Sequence, residues 1–291
     1  YMKNVINYFY NFNIDNIRMI GDNYYFVYKN QSFLFQEIKD PHFDYQAIFE
    51  LNKILVNNKR NFYQIVLNKN NEVLTYNSNK RYILMIDNSV LDKDFDYLDI
   101  LDINIPVNEN NKIIDRLNRF NWVRLWENKI DYFELFIDHN VNKYPNLNKY
   151  ANYFIGMGEV AILYVKDTLK DAKPNNYDNL VISHRRITSS TTLRELYNPV
   201  NLVIDHPVRD LVEYLKMLFL AGIYKNIDIK ELIDQIALSN YGARLLIARM
   251  LFPSFFFDSF EKLIDNKLEE KDIIYIINHM NAYEEFVVEI Y

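Results

Sequence analysis

The chain has 291 residues, a net charge of −6 and a sequence pI near 5.5, so we expect no broad basic surface for nucleic acid. It contains no cysteine, which excludes disulfides, thiol catalysis and thiolate metal sites. No apolar run is long enough for a membrane span, and residues 1–15 lack the apolar core and cleavage site of a signal peptide. These features predict a cytoplasmic protein without a transmembrane segment.

The first 87 residues predict a small α+β unit with an antiparallel sheet. A short helix is expected at 2–10, and a second at 45–56 after the start signals Pro41 and Asp44. The turn at residues 29–31 is typical of a β-hairpin. The patterns predict strands at 23–29, 32–39, 62–67, 72–74 and 81–87.

From residue 111 onward the apolar spacing is mostly helical, whereas 88–107 has few periodic signals and is interpreted as a connection. Pro145 is expected to break the helical pattern, and Asp228 and Ser239 are expected to be helix caps. We predict two domains, an N-terminal lobe at 1–87 and a helical lobe at 88–291. Helices of the second lobe are predicted at 111–125, 131–140, 149–170, 205–220, 229–237, 242–251, 255–268 and 271–280.

Residues 181–216 have the layout of a kinase catalytic loop followed by its metal-binding aspartate. A strand ends at His184, a polar loop follows, and a second strand at 200–204 leads to Asp205 and a helix. In small-molecule kinases of the aminoglycoside phosphotransferase type, the loop reads H-G-D-x-x-x-x-N. Counting from His184, Arg186 occupies the position of the catalytic aspartate and Thr191 that of the metal-binding asparagine.

These replacements remove two of the three central groups. A guanidinium remains charged and has no acceptor, so Arg186 cannot take a proton from a hydroxyl. Asp205 has two interpretations, a Mg²⁺ ligand or the N-cap of a helix at 207–220. His184 is either part of the catalytic loop or a structural histidine bonded to backbone. Thr191 is the second candidate at the metal position.

The nucleotide side of a kinase site is also poorly represented. Residues 1–40 contain only one glycine, Gly21, and therefore no glycine-rich loop. Lys39 lies late in its predicted strand for the usual nucleotide-binding lysine, and Glu50 is the candidate for its partner. We interpret Gly156 and Gly158 as a helix bend or a point of tight packing, because they lack the strand and spacing of a phosphate loop.

Three segments, at 153–169, 183–187 and 204–216, resemble the YutH-type spore-coat kinase-like proteins, relatives of the CotS group within the aminoglycoside/choline phosphotransferase superfamily. Val160 and Val212 depart from the family pattern, which has Asn and Ala there. The residues that follow the pattern are Glu159, Ala161, Ile162, Tyr164, His184, Arg186, Asp205, His206, Arg209, Asp210, Leu211 and Glu213.

The resemblance implies a fold class, α+β with the bilobal protein-kinase-like fold, in which a small antiparallel-sheet N-lobe precedes a large, mostly helical C-lobe. It also implies a role in the spore coat, with protein partners there, and it supplies no established substrate. ATP and Mg²⁺ are the cofactor candidates of such a fold. In a kinase-like C-lobe, Asp210 would bond the backbone of the catalytic loop, and Arg209 and Glu213 are expected to form an i, i+4 pair.

Three functions remain open. The first is a pseudokinase that keeps the fold for binding, which Arg186, Thr191 and the absence of a glycine-rich loop favour. The second is an active ATP-dependent phosphotransferase on a small hydroxyl compound, with Asp205 for the metal and Asp210 as an unconventional base. The third is an α+β interaction protein unrelated to kinases. The candidate catalytic residues in the first two hypotheses are His184 and Arg186 of the degenerate catalytic loop and Asp210, which supports that loop.

Overall fold

The computed structural model describes residues 1–58, 61–88, 94–107, 112–140, 142–234 and 236–290. The chain divides into two compact units, one formed by 1–118 with 190–204 and the other by 119–189 with 205–291. The division into lobes at residue 87 stays a prediction. No helix in the described part of the chain is both long and apolar enough to cross a membrane.

The first unit is built on an antiparallel sheet. Its strands are β1 (Arg18–Ile20), β2 (Asn23–Tyr28), β3 (Gln31–Glu37), β4 (Gln64–Val66), β5 (Thr75–Asn77) and β6 (Lys80–Asp87). They follow the order β1-β2-β3-β6-β4, and β5 pairs with β6. The predicted hairpin is confirmed, and its turn residues Lys29 and Asn30 have positive φ angles of 49° and 63°, as two-residue hairpin turns require. Two further strands outside this sheet are β7 (Val181–His184) and β8 (Leu202–Asp205).

Helices make up most of the second unit, and the first unit contains five shorter or medium-length α-helices among its described residues. In chain order they are α1 (Met2–Tyr10), α2 (Tyr45–Asn58), α3 (Tyr97–Ile103), α4 (Lys112–Leu117), α5 (Trp122–Asn140), α6 (Pro145–Asp171), α7 (Leu193–Leu196), α8 (Val208–Leu220), α9 (Ile229–Asp234), α10 (Asn240–Leu251), α11 (Ser254–Ile264), α12 (Glu270–Asn278) and α13 (Met280–Ile290).

Two helices are anchored to the sheet of the first unit. Apolar residues of α1, including Ile6 and Tyr10, join a buried cluster with the sheet residues Phe26, Phe33 and Phe35. On α2, the buried Asn52 side chain donates to Tyr63 O at 2.6 Å and accepts from Ile65 N at 2.9 Å. A polar side chain therefore joins this helix to the backbone at β4.

Several predicted boundaries are wrong for local reasons. The strand predicted at 72–74 is replaced by β5, because the Asn68 side-chain oxygen accepts from Asn70 N and Glu72 N and closes a turn there. The helix predicted at 205–220 begins only at Val208, since β8 continues through Asp205. The predicted break between two helices is confirmed, but Pro145 is itself the first residue of α6, where its missing N–H costs nothing, so this helix begins at 145 and not at 149.

Four elements have no counterpart in the predictions, namely β1, α3, α7 and α13. Helix α3 lies in the segment interpreted as a connection, and Asp96 and Asp99 form a capping box at its start. Part of that segment, residues 89–93, and the predicted helix start at residue 111 lie outside the described residues. The predicted caps are confirmed, since Asp228 accepts from Glu231 N and Ser239 from Gly242 N.

The core of the second unit is aromatic. Phe133 of α5 makes edge contacts with rings of α11, and Phe154 of α6 stacks on Phe256 at 3.6 Å between centroids. At Gly158 an added Cβ would lie 2.7 Å from Ile130 Cδ1, so this glycine allows α6 to approach α5 closely. Tight packing is therefore the right interpretation for Gly158, whereas the space above Gly156 is open.

Candidate functional site

Asp205 lies at the end of β8 with its carboxylate fully buried. Arg209 Nη1 donates to its Oδ2 at 2.6 Å, and the Trp122 indole N–H lies 3.0 and 3.1 Å from its two oxygens. The backbone N–H of His206 donates to Oδ1 at 2.7 Å. A guanidinium, an indole and a backbone amide therefore occupy both oxygens of the aspartate that the sequence predicts at the metal position.

The alternative interpretation of Asp205 as a helix cap is wrong. The residue before α8 is Pro207, which makes no side-chain cap, and Asp205 bonds His206 N, outside the helix. The first helical N–H, that of Val208, donates instead to His206 Nδ1 at 3.2 Å. The ring proton of His206 is thus on Nε2, which faces Asp178 Oδ1 at 3.1 Å. Burial lowers the pKa of His206, although Asp178 opposes this shift.

Asp210, in the first turn of α8, binds His184 at the end of β7 through both carboxylate oxygens. Oδ1 accepts from His184 N at 2.8 Å, and Oδ2 lies 2.7 Å from His184 Nδ1. Both side chains are almost completely buried. The arrangement holds the start of the loop to the helix and leaves neither group open to a substrate in solution.

Arg209 joins the same loop to Asp205. Its Nε donates to His184 O at 2.7 Å and its Nη2 to Arg185 O at 2.8 Å, while Nη1 binds Asp205. The predicted i, i+4 pair between Arg209 and Glu213 is therefore wrong. Arg209 pairs backwards with Asp205, four residues earlier, because the strand end and the first turn of α8 face each other.

Arg186, at the position of the catalytic aspartate, forms a two-pronged ion pair with Asp258 of α11. The distances are 2.5 Å from Nε and 3.0 Å from Nη2 to the two carboxylate oxygens. Burial would lower the pKa of Arg186, but the Glu213 and Asp258 carboxylates outweigh it and raise this pKa. Asp258 also accepts from Lys129 Nζ at 2.8 Å. Arg186 is thus one member of an ion-pair network.

The sequence reasoning missed the partners that complete this network. Arg249 donates to Glu213 Oε1 at 2.9 Å, and its guanidinium lies 4.7 Å from the Trp122 ring centroid. Burial lowers the pKa of Arg249 to about 10. Trp122 and Asp258 lie far along the chain from the loop residues they contact, so no local spacing could have identified them.

Lys216 is a further buried cation on α8 that no motif indicated. Its ammonium donates to Arg249 O at 2.8 Å, Phe252 O at 2.7 Å and Ser254 Oγ at 3.1 Å. These acceptors lie where α10 ends and α11 begins, so the lysine joins three helices. Burial lowers its pKa to about 7, although Glu213 opposes the shift.

This lowered pKa predicts that stability rises with pH above 7. Between pH 7 and 9 the unfolded lysine keeps its proton while the folded one loses it, so the free energy of unfolding should increase by about 2 kcal/mol. Urea unfolding of the parent and of Lys216→Met across this range measures the effect. The variant should lack this increase; an identical slope in both proteins would contradict the prediction.

The residues at Asp205 do not fit Mg²⁺, the ion that the kinase fold implies. Magnesium requires several oxygen ligands in octahedral geometry, and protein donors already occupy both oxygens of Asp205. Within the described ranges, no group of three or more His, Cys, Asp or Glu residues is placed to hold a metal ion. Thr191 belongs to the first unit, whereas His184, Arg186, Asp205 and Asp210 belong to the second.

The first unit contains a groove of about 630 Å³ along β2 and β3, lined by residues that include Arg18, Tyr25 and Arg194. Asp87 lies in the same lining and pairs with Arg194 at 3.4 Å. The lysine and glutamate considered for a nucleotide site are not paired here, since Lys39 pairs with Asp22 and Glu50 is exposed.

Comparison with known proteins identifies the family and the fold. The family described as "Spore coat putative kinase YutH" matches residues 3–290. The endospore coat-associated protein YutH of Bacillus subtilis (strain 168) is 30% identical over 184 residues, which cover 57% of this chain and 54% of that protein. The match thus spans about half the length of this relative.

Two solved structures are similar over nearly the whole chain. Spectinomycin phosphotransferase, solved with ADP and spectinomycin, has a TM-score of 0.59 at 11% identity, covering 99% of this chain and 96% of the enzyme. Choline kinase LicA from Streptococcus pneumoniae has a TM-score of 0.56 at 12% identity, covering 99% and 98%. At such identities the likeness establishes the fold alone, and the predicted kinase-like α+β fold class is confirmed. The chain belongs to the family described as "Spore coat putative kinase YutH".

Proposed function

We propose that the protein is a pseudokinase, a kinase-like fold kept for binding during assembly of the spore coat. The observation that carries the proposal is the saturated carboxylate of Asp205, which is bound by Arg209 and Trp122 at hydrogen-bonding distance. A phosphotransferase needs this group free for the metal that neutralises the nucleotide phosphates. Arg209 supplies a permanent positive charge there instead.

The position of the catalytic base supports the same proposal. Arg186 cannot accept a proton, and its guanidinium is bound to Asp258. Asp210, the alternative base, is fully buried and uses both oxygens on His184. A general base must reach the substrate hydroxyl directly or through one water, and neither residue offers such a group.

The other functions considered from the sequence have less support. An active phosphotransferase would have to break the Asp205–Arg209 ion pair before a metal could bind, and the described residues contain no group of three or more His, Cys, Asp or Glu that could hold one. An interaction protein with a different α+β fold has no support, because the chain has the fold of spectinomycin phosphotransferase and choline kinase. A role in the coat rests on the family to which the chain belongs.

The proposal predicts that ATP with Mg²⁺ neither stabilises the protein nor is consumed by it. A ligand present at 100 times its Kd adds about 2.7 kcal/mol of stability, which for a chain of this size raises Tm by several degrees. We therefore expect Tm in millimolar ATP and Mg²⁺ to stay within about 1 °C of its value in Mg²⁺ alone. ADP release, measured with and without a panel of small hydroxyl compounds, should equal the background.

Two results would contradict this. The first is a Mg²⁺-dependent stabilisation by ATP, and the second is ADP release that Asp205→Asn abolishes while the exposed-site control Asp138→Asn retains it. The coat role has a separate readout, because a fluorescent fusion expressed in sporulating Bacillus subtilis should concentrate on the spore surface. A fusion that stays diffuse would leave the pseudokinase assignment intact and remove the coat role.

A further inference from the structure

Helix α6 presents an apolar stripe on the face opposite its buried one. The buried face packs residues such as Phe154, Ala161 and Val165 into the unit. On the other face, Tyr153, Val160 and Leu163 are exposed by 38%, 52% and 59%. Positions spaced alternately by four and three residues line one side of a helix. We define the α6 stripe as Lys149, Tyr153, Gly156, Val160, Leu163 and Asp167.

The α6 stripe has features of a contact surface. Apart from the adjoining backbone of α6 and the two chain neighbours of Gly156, no atom lies within 4 Å of the point where its Cβ would be, so the helix has an open notch in the middle of the stripe. The Tyr153 hydroxyl donates to Glu284 Oε1 at 2.5 Å, which fixes the ring while part of it stays exposed. A fixed aromatic side chain loses little conformational entropy on binding.

The charges at the two ends of the stripe have opposite sign. Lys149 lies at one end and Asp167 at the other, both exposed, and neither forms a salt bridge with any residue that the structure describes. A second copy lying antiparallel on the stripe would bring each lysine opposite the aspartate of its partner. A parallel copy would place like charges opposite each other, which is unfavourable.

We propose that α6 is a self-association surface that binds a second copy of this chain in antiparallel orientation. A twofold axis at the level of residue 158 pairs Lys149 with Asp167 of the other copy, and Tyr153 with Leu163. The same axis places Val160 over the notch at Gly156, where only a residue without a side chain leaves room for it. All three pairs are made twice, as a twofold interface requires.

A single stripe lies at the low end of interface sizes, so the dimer should be weak and reversible. This inference goes beyond the proposed function and does not depend on whether the chain transfers phosphate. Sedimentation equilibrium of the full chain from about 1 to 500 µM should show the average mass rising from 35.1 kDa toward twice that value.

Three variants test the geometry. Gly156→Lys fills the notch without touching the fold, because no neighbouring atom lies near its Cβ, and should raise the dissociation constant at least tenfold. Lys149→Glu alone should weaken the dimer, and adding Asp167→Lys should restore it, since the swap recreates both ion pairs. Leu98→Lys, at a 63% exposed position on α3, is the control and should leave the dimer unchanged.

Each other outcome overturns the proposal. A monomer over the whole concentration range would show that the stripe does not mediate self-association. A dimer that Gly156→Lys leaves unchanged would use another surface. Failure of the Lys149→Glu and Asp167→Lys pair to restore binding would reject the antiparallel register. Circular dichroism and urea midpoints, equal to those of the parent, establish that each variant is folded.

Discussion

Replacing Asp210 by alanine is expected to lower the free energy of unfolding by about 3–5 kcal/mol, one of the two largest effects in the chain. The carboxylate is fully buried and is the acceptor for both the backbone N–H and the ring of His184. Its removal leaves these donors buried without an acceptor and opens a cavity beside the end of β7. Urea unfolding at pH 7 measures the change.

Two further variants separate the causes. Asp210→Asn keeps one oxygen of similar position, so it should retain the bond from His184 N and lose only about 1–3 kcal/mol. Asp138→Ala removes an exposed aspartate of α5 and should change stability by no more than about 0.5 kcal/mol. A loss of less than about 1 kcal/mol for Asp210→Ala would mean that this pair does not hold the loop to α8.

Replacing Arg209 by methionine should be comparably destabilising, by about 3–5 kcal/mol. The guanidinium neutralises the buried Asp205 and donates to the carbonyls of His184 and Arg185. Methionine keeps much of the volume but leaves an uncompensated carboxylate in the interior. Thermal and urea unfolding of the variant measure the loss, and Arg124→Met at an exposed site of α5 is the control.

A double-mutant cycle tests whether the charge on Asp205 is the cause. In Asp205→Asn with Arg209→Met the carboxylate is gone, so the double variant should lose at least about 1 kcal/mol less than the sum of the single losses. If the two single losses simply add, the cost of Arg209→Met comes from the lost hydrogen bonds to the carbonyls of His184 and Arg185. That result would weaken the interpretation of Arg209 as the permanent counter-ion of Asp205.

Much of the fold could be predicted from local patterns. The hairpin of β2 and β3 follows from alternating apolar residues around Lys29 and Asn30, and the caps at Asp228 and Ser239 follow from residue type and position. The secondary-structure predictions failed where a side chain several residues away determined the backbone conformation. The Asn68 side chain closes a turn at the predicted strand 72–74, which no propensity of those residues indicates.

The order of motifs along the chain was sufficient to indicate the family. The spacing from His184 to Asp205, and the pattern after it, placed the chain among kinase-like proteins, because these residues lie close together in sequence. The same counting placed Arg186 where a catalytic aspartate is expected. Residue identity and spacing therefore determined the fold class and which groups of the reaction are replaced.

Only the tertiary structure decided what those residues contact. The sequence left two interpretations of Asp205, a metal ligand or a helix cap, whereas in the structure Trp122, 83 residues earlier, and Arg209 bind its oxygens. Asp258 reaches Arg186 across 72 residues in the same way. Contacts between residues so far apart in the chain arise when helices pack together, and no local sequence pattern indicates them. The sequence by itself thus determined the kinase-like frame, and packing determined that its central carboxylate is bound to protein.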